Sequence, residues 1–318
     1  MTQSSANQTI HHIPVLCNEV IDMLAIKKNG LYIDATLGAG GMARAILAKQ
    51  PKKLLGMDRD PVAINMAGIL QEKYQNLQMM NMNYADMDHV LCDYHSKVDG
   101  IVFDLGVSAM QLDDAKRGFS FGKTATLDMR MNQSESIPTA CDIINQKSQT
   151  ELADIFYRYG EEKKSRLLAK KIIEYRRHTP ITTTSELSQL VVASLGYSKN
   201  HPATRVFQAL RIFVNNELGG LLAGLSAAMK LLASGGRLVV ISFHSLEDKI
   251  VKDVFKKHSG RSSGVSRHTP SYRQTPMLPP FTLLTKKPIT PTNHEMLHNP
   301  RSRSAKLRAI MKSENTHQ

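Results

Sequence analysis

The chain has 318 residues, 42% hydrophobic and 22% charged, with a formal net charge of +13. This composition excludes disordered and fibrous classes and gives a soluble globular protein with a substantial core and about two domains. The basic excess points to a polyanionic partner. Cys17, Cys92 and Cys141 show neither CxxC nor metal-ligand spacing, so a reducing compartment and no metal are expected. MTQSSANQTIHH has no basic region followed by an apolar core, and the greasy run 218–233 is broken by Gly219, Gly220, Gly224 and Lys230. Neither a signal peptide nor a membrane span is expected, and the location is read as cytoplasmic.

In chain order, Leu31 to Ile33 is a short β-prone run ending at Asp34. Gly38, Gly40 and Gly41 form a turn that lets the backbone approach a ligand, and 42–49 favours a helix. Leu54 to Met57 is the next strand, with Asp58 at its carboxyl end, placed to accept from ribose hydroxyls. A nucleoside cofactor follows, and two compete. GAGGMA fits the dinucleotide fingerprint, whereas D-x-T-x-G-x-G-G from Asp34 fits the first motif of S-adenosylmethionine methyltransferases. A third strand is expected at Leu77 to Met80, just before Tyr84, and a buried one at Val98 to Leu105, containing Asp104. Such runs alternating with helices imply a parallel sheet with its ligand site outside the carboxyl strand ends.

Between about Asp113 and Arg205 the pattern turns helical, with helices expected at 149–159, 161–177 and 185–194. Thr182 to Ser185 supply N-cap chemistry for the last. The stretch from Thr204 to Leu232 is expected to be helical, followed by a turn at Gly235–Gly236, a strand from Arg237 to Phe243 and a helix from Glu247 to Lys257. A polar loop spans 259–280, and late strands are expected at 281–284 and 306–311. The fold class is α/β: a doubly wound domain formed by 1–112 and 206–318, interrupted by a helical insert at 113–205. Basic residues cluster at 163–177 (Lys163, Lys164, Arg166, Lys170, Lys171, Arg176, Arg177), at 249–273 (Lys249, Lys252, Lys256, Lys257, Arg261, Arg267, Arg273) and at 301–312 (Arg301, Arg303, Lys306, Arg308, Lys312).

Six strings stand out: DATLGAGG at Asp34, DLGVSAMQLDDAKRGFSF at Asp104, LDMRM at Leu127, HPATRVFQALRIFVNNEL at His201, SFHSLEDKIVK at Ser242 and NPRSRSAKLRA at Asn299. By these strings, from about His12 to Ala309, the chain closely resembles the bacterial 16S ribosomal RNA cytosine-N4 methyltransferases, the RsmH/MraW family. The resemblance implies a Rossmann-like S-adenosylmethionine domain with a helical substrate-recognition insert. It also implies methylation of the exocyclic amine of one cytidine in the decoding region of 16S ribosomal RNA, in the small ribosomal subunit. It places cofactor contacts at Gly40, Gly41, Met42, Asp58, Tyr84, Asp104 and Gln111. Tyr84 would pack on adenine and Gln111 would hydrogen-bond in the same cleft; their plainer readings are a core aromatic and a loop-surface amide. Two departures are visible. The family's Gly-Gly-His-Ser is here Gly41-Met42-Ala43, which leaves Met42 only backbone contacts or apolar packing, and its Gly-Pro before LDMRM is Ala125-Thr126.

Methyl transfer from a sulfonium is an in-line displacement helped mainly by positioning. A carboxylate near the weakly nucleophilic cytosine amine would stabilise its developing positive charge, and Asp104 is the candidate. The string Asp104-Leu105-Gly106-Val107 lacks the Pro-Pro-aromatic signature of many amine methyltransferases, so their mechanism does not transfer directly. Ring-carbon methylation would need a thiolate, and the strand-end motifs hold no cysteine. His201, Arg205, Gln208 and Arg211 share a helical face by spacing and are read as lining the RNA side of the cleft; Arg205 and Arg211 equally suit holding the insert in place. His244 is read as a substrate contact or a helix-entry histidine beside an N-cap at Ser245. Two other functions stay open, a nicotinamide oxidoreductase and a catalytically idle RNA-binding assembly factor. The residues leave monomer and homodimer undecided.

Overall fold

The structure is a computed structural model that describes residues 14–197, 201–260 and 279–314. It divides into two compact units. One comprises the chain up to Asp58, Val62–Leu105 and Leu225 onward; the other is Arg59–Pro61 with Gly106–Gly224. The second unit runs past the expected 205 because the helix Ala203–Asn215 packs on the helix Gln149–Gly160. There it supplies Val206, Phe207, Ala209 and Leu210 to that unit's core.

The first unit is built on a seven-stranded sheet. Its strands are β1 (Leu31–Asp34), β2 (Lys53–Asp58), β3 (Leu77–Asn81), β4 (Val98–Asp104), β5 (Leu232–Ser242), β6 (Phe281–Leu283) and β7 (Lys306–Lys312). The spatial order is β3-β2-β1-β4-β5-β7-β6. Pairs among β1 to β5 are parallel, and β7 runs antiparallel between β5 and β6. Ile101, Val102 and Phe103 in β4 and Leu238 to Ile241 in β5 are buried, as strands covered on both faces must be. The chain winds outward in one direction from β1 to β3 and in the other from β4, so the order reverses between β1 and β4. Open α/β sheets bind their ligands outside such a switch point.

β5 begins five residues earlier than expected. Gly235–Gly236, read as a turn, is an irregularity within the strand, where pairing jumps from Val98↔Leu232 to Gly100↔Arg237. Gly235 has φ 73°, and a Cβ on Gly236 would lie 2.7 Å from Val98 O, so the glycines permit the kink rather than end the strand.

The second unit is helical. Capping boxes pair Thr139 with Asp142, Ser148 with Glu151, and Thr183 with Glu186, the last within the expected Thr182–Ser185 cap. The helix expected at 161–177 begins only at Ser165, because Glu161 takes a left-handed conformation (φ 51°) that ends the preceding helix. The stretch expected to be helical from Thr204 to Leu232 forms two helices, Ala203–Asn215 and Glu217–Leu231. They are broken at Asn216 (φ 48°), a residue type that tolerates this region. The side chain of Asn215 is meanwhile bound to Met129 O and Met131 N. The 259–280 loop lies largely outside the described residues, as do Arg261, Arg267 and Arg273. Among the described residues no helix is long and apolar enough to cross a membrane.

Candidate active site

The glycine turn follows β1 directly. Gly38 (φ 52°) and Gly40 (φ 78°) are left-handed, and a Cβ on Gly40 would collide with Leu70 Cδ1. The turn is fastened to β2 twice: the Leu37 N–H donates to Met57 O, and the Gly38 N–H donates to Asp58 Oδ2, both at 2.9 Å. Asp58 therefore shapes the turn whatever else it binds. The helix Gly41–Leu47 starts immediately, with Met42 3% exposed in the core. Of the two readings for Met42 the structure has apolar packing, leaving only its backbone to a ligand.

At the switch point Asp34 ends β1 and Asp104 ends the neighbouring β4. Thr36 links them, donating its N–H to Asp34 Oδ1 at 3.2 Å and accepting the Asp104 N–H on its hydroxyl at 2.6 Å. Asp34 is wholly buried and Asp104 only half-buried as a residue, yet Asp34 Oδ2 and Asp104 Oδ1 are both sealed from solvent without an aligned hydrogen-bond partner. Burial pushes the Asp34 carboxyl up to about 7, opposed by the Thr36 N–H and reinforced by Asp58. Burial likewise pushes Asp104 up to about 7, with Asp34 and then Glu247 adding like-charge repulsion. Cys17 also senses Asp104, but burial, Glu19 and Asp104 all raise its thiol, which argues against a thiolate here.

Tyr84 opens a 3-10 turn after β3 and stands edge-on to Phe103 of β4, ring centroids 5.3 Å apart. Its ring is half-buried. His244 rather than Ser245 is the N-cap of the helix Ser245–His258, its Nδ1 accepting from the Glu247 N–H at 3.3 Å. The expected cap at Ser245 is thus displaced by one residue, because imidazole can accept at Nδ1 as a hydroxyl would. Glu247 Oε2 in turn accepts from the N–H groups of Phe243 and His244, and His244 Nε2 lies 3.0 Å from Glu247 Oε1 without hydrogen-bond alignment.

The remaining expected residues belong to the second unit. Gln111 is not a surface amide: it is buried at the third position of the helix Ala109–Asp113, with Oε1 accepting from Ser108 N and Nε2 donating to Asp60 Oδ2 at 2.9 Å. Asp60 also holds Arg117 at 2.9 Å in a buried ion pair, and Arg117 reaches on to the carbonyls of Arg130 and Met131. His201 stacks on Phe121 at 4.6 Å. Arg205 is the exposed member of the group, its side chain 57% accessible and 3.8 Å from Glu162. Gln208 donates to Tyr159 O. Arg211 grips Glu217 bidentately at 2.8 and 2.9 Å and is largely buried. Of the two readings offered for the arginines, Arg211 takes the structural one, while Arg205 presents charge to solvent. Thr36 and Asp60 are functional-site neighbours that the sequence alone does not single out. The signal for Thr36 was its place in D-x-T, and the Asp58-Arg59-Asp60 run could have drawn notice to Asp60.

The family model of the MraW methylase family matches residues 9–313. The chain belongs to the MraW methylase family. It is a methyltransferase, which sets aside the nicotinamide oxidoreductase. The ribosomal RNA small subunit methyltransferase H of Nitrobacter winogradskyi is 48% identical over 309 residues, 96% of this chain and 92% of that protein. Its namesake in Paramagnetospirillum magneticum is 47% identical over 306 residues, 95% and 96% of the two chains. A solved structure described as a putative rRNA methylase from Clostridium thermocellum aligns distantly, at TM-score 0.44 and 12% identity over 95% of this chain and 97% of that chain.

Proposed function

We propose that the chain methylates the N4 amine of one cytidine in the decoding region of 16S ribosomal RNA, using S-adenosylmethionine, in the cytoplasm. The observation that carries this reading is the sealed, unpartnered Asp104 Oδ1 beside the buried Asp34 at the switch point. Two neighbouring buried carboxyls next to a glycine turn favour a cationic ligand group and disfavour a pyrophosphate. Adenosylmethionine carries a sulfonium and an ammonium and supplies an activated methyl. Gly40 and Gly41 offer it backbone groups, Asp58 a ribose-facing carboxylate and Asp104 an anionic partner. Tyr84, Gln111 and the Met42 backbone complete the proposed contacts.

For the chemistry, Asp104 is the proposed catalytic group. A carboxylate here would accept a hydrogen bond from the target amine and take the proton that the amine sheds as the N–CH3 bond forms and the methyl–sulfur bond breaks, the electron pair staying on sulfur as a neutral thioether. His201, Arg205, Gln208, Arg211 and His244 are the proposed substrate-side residues. Arg205, exposed beside Glu162, is placed to meet a phosphate directly; Arg211 and His244 act by holding their own elements in place. The target base must be unstacked to present its amine, which costs a few kcal/mol unless it is already single-stranded. The test is transfer of label from tritiated adenosylmethionine to small subunits, with digestion of the product to nucleosides.

A further inference from the structure

The first unit carries a second feature that the methyl-transfer site does not use. A cavity of about 190 Å³ lies between the helix Ser245–His258 and the β6 edge of the sheet. Its wall holds five cations, Lys252, Lys256, Lys286, Lys287 and Arg308, with Phe255 and Leu283 among its apolar lining. Arg308 is neutralised: its Nε and Nη2 donate to Asp248 at 2.7 and 3.2 Å, and Lys306 approaches the same carboxylate at 3.4 Å. Among the described residues none of the four lysines has an acidic partner within ion-pair distance, so five cations and one carboxylate leave a surplus of four. Lys286 and Lys287 belong to none of the three clusters seen in the sequence; the fold adds them to Lys252 and Lys256.

Lys256, Lys286 and Lys287 are exposed and Lys252 half-buried, so together they set up a positive potential at the mouth of a concave wall that attracts an anion. The cavity is smaller than the ~300–1,000 Å³ of pockets that enclose whole drug-sized ligands. It suits a phosphate better than a complete nucleotide cofactor. Lysine gives point charges without base discrimination, as contacts to a nucleic-acid backbone do. We propose that this cavity binds a backbone phosphate of the RNA substrate, outside the methyl-transfer site. The inference rests on the RNA reading above for its partner, while the site itself rests on the cavity and its lysines.

The experiment compares the full-length protein with K252Q/K286Q/K287Q and with K252R/K286R/K287R. Each is titrated with two unrelated single-stranded RNA oligonucleotides at several salt concentrations. Each phosphate contact on single-stranded RNA contributes about 0.7 to the slope of log affinity against log salt. The glutamine variant is expected to bind both RNAs more weakly by a similar factor, with a slope shallower by about 0.7 or more. The arginine variant is expected to keep the wild-type slope. Adenosylhomocysteine binding by calorimetry should be the same in all three, which also shows that the variants are folded. An unchanged slope in the glutamine variant overturns the proposal, as does a loss confined to one RNA sequence. A wild-type protein that binds adenosylhomocysteine but no RNA overturns it too. A protein that shows the slope change but binds no adenosylhomocysteine overturns the cofactor reading instead and leaves the phosphate site standing.

Discussion

The backbone N–H of Asp104 donates to the hydroxyl of Thr36 at 2.6 Å, so the acidic end of β4 and the turn after β1 form one hydrogen-bonded unit. Replacing Thr36 by valine keeps the shape but strands that N–H, at a cost of ~1–3 kcal/mol. T36V is expected to melt at lower temperature and to bind adenosylhomocysteine more weakly, while T36S retains most of both. Thermal melts and calorimetry on the two variants check this.

The acid pair makes stability fall as pH rises. Both carboxyls titrate near 7 in the folded protein, above the ordinary carboxylate value of 3.8. Between about pH 4 and 7 the folded state therefore holds more protons than the unfolded state, and raising pH through that window removes stability. D104N has no such proton to lose. Its melting temperature is expected to exceed that of the ligand-free wild type at pH 8 and to converge with it near pH 4. A bound cation has the opposite preference, so adenosylmethionine affinity in the wild type is expected to rise as pH passes through 7. Calorimetry in two buffers of different ionisation enthalpy should reveal proton release on binding.

Gly40 tests the turn. G40A demands φ near +78° of an L-residue and drives the new Cβ into Leu70 Cδ1. The left-handed conformation alone costs ~1–2 kcal/mol. G40A is expected to lose most adenosylhomocysteine affinity, and trimming the neighbour in G40A/L70A should relieve the collision but not the backbone strain. A double variant with full affinity would contradict this account of the turn.

The buried Asp60–Arg117 pair gives a prediction in the helical unit. D60A leaves a guanidinium enclosed without its counter-charge and takes a partner from Gln111. A loss of ~3–5 kcal/mol in denaturant unfolding is expected. D60A/R117M, which removes both charges, should recover a large part of it.

The parts legible in the sequence were those with a local signal. The strands β1 to β4 announced themselves as short apolar runs, three of them ending in an aspartate, and the turn as three closely spaced glycines. The helix break at Asn216 had no proline to mark it, and the partners of the neighbouring Asn215, Met129 and Met131, lie more than eighty residues away in the chain. The commitment of Arg211 to Glu217 was equally hidden, since spacing places a side chain on a face but does not say which partner it finds there. The same limit applied to Gln111, whose partner Asp60 is 51 residues away. The gathering of Lys286 and Lys287 with Lys252 and Lys256 needed the tertiary fold.

The most direct measurement of the account combines wild type and D104A with tritiated S-adenosylmethionine and small ribosomal subunits lacking the modification. The labelled RNA is then digested and its nucleosides separated. The expected result is label in N4-methylcytidine with the wild type and a loss of at least a hundredfold in rate with D104A. Label in any other nucleoside, or a D104A protein as fast as wild type at saturating cofactor, would contradict it.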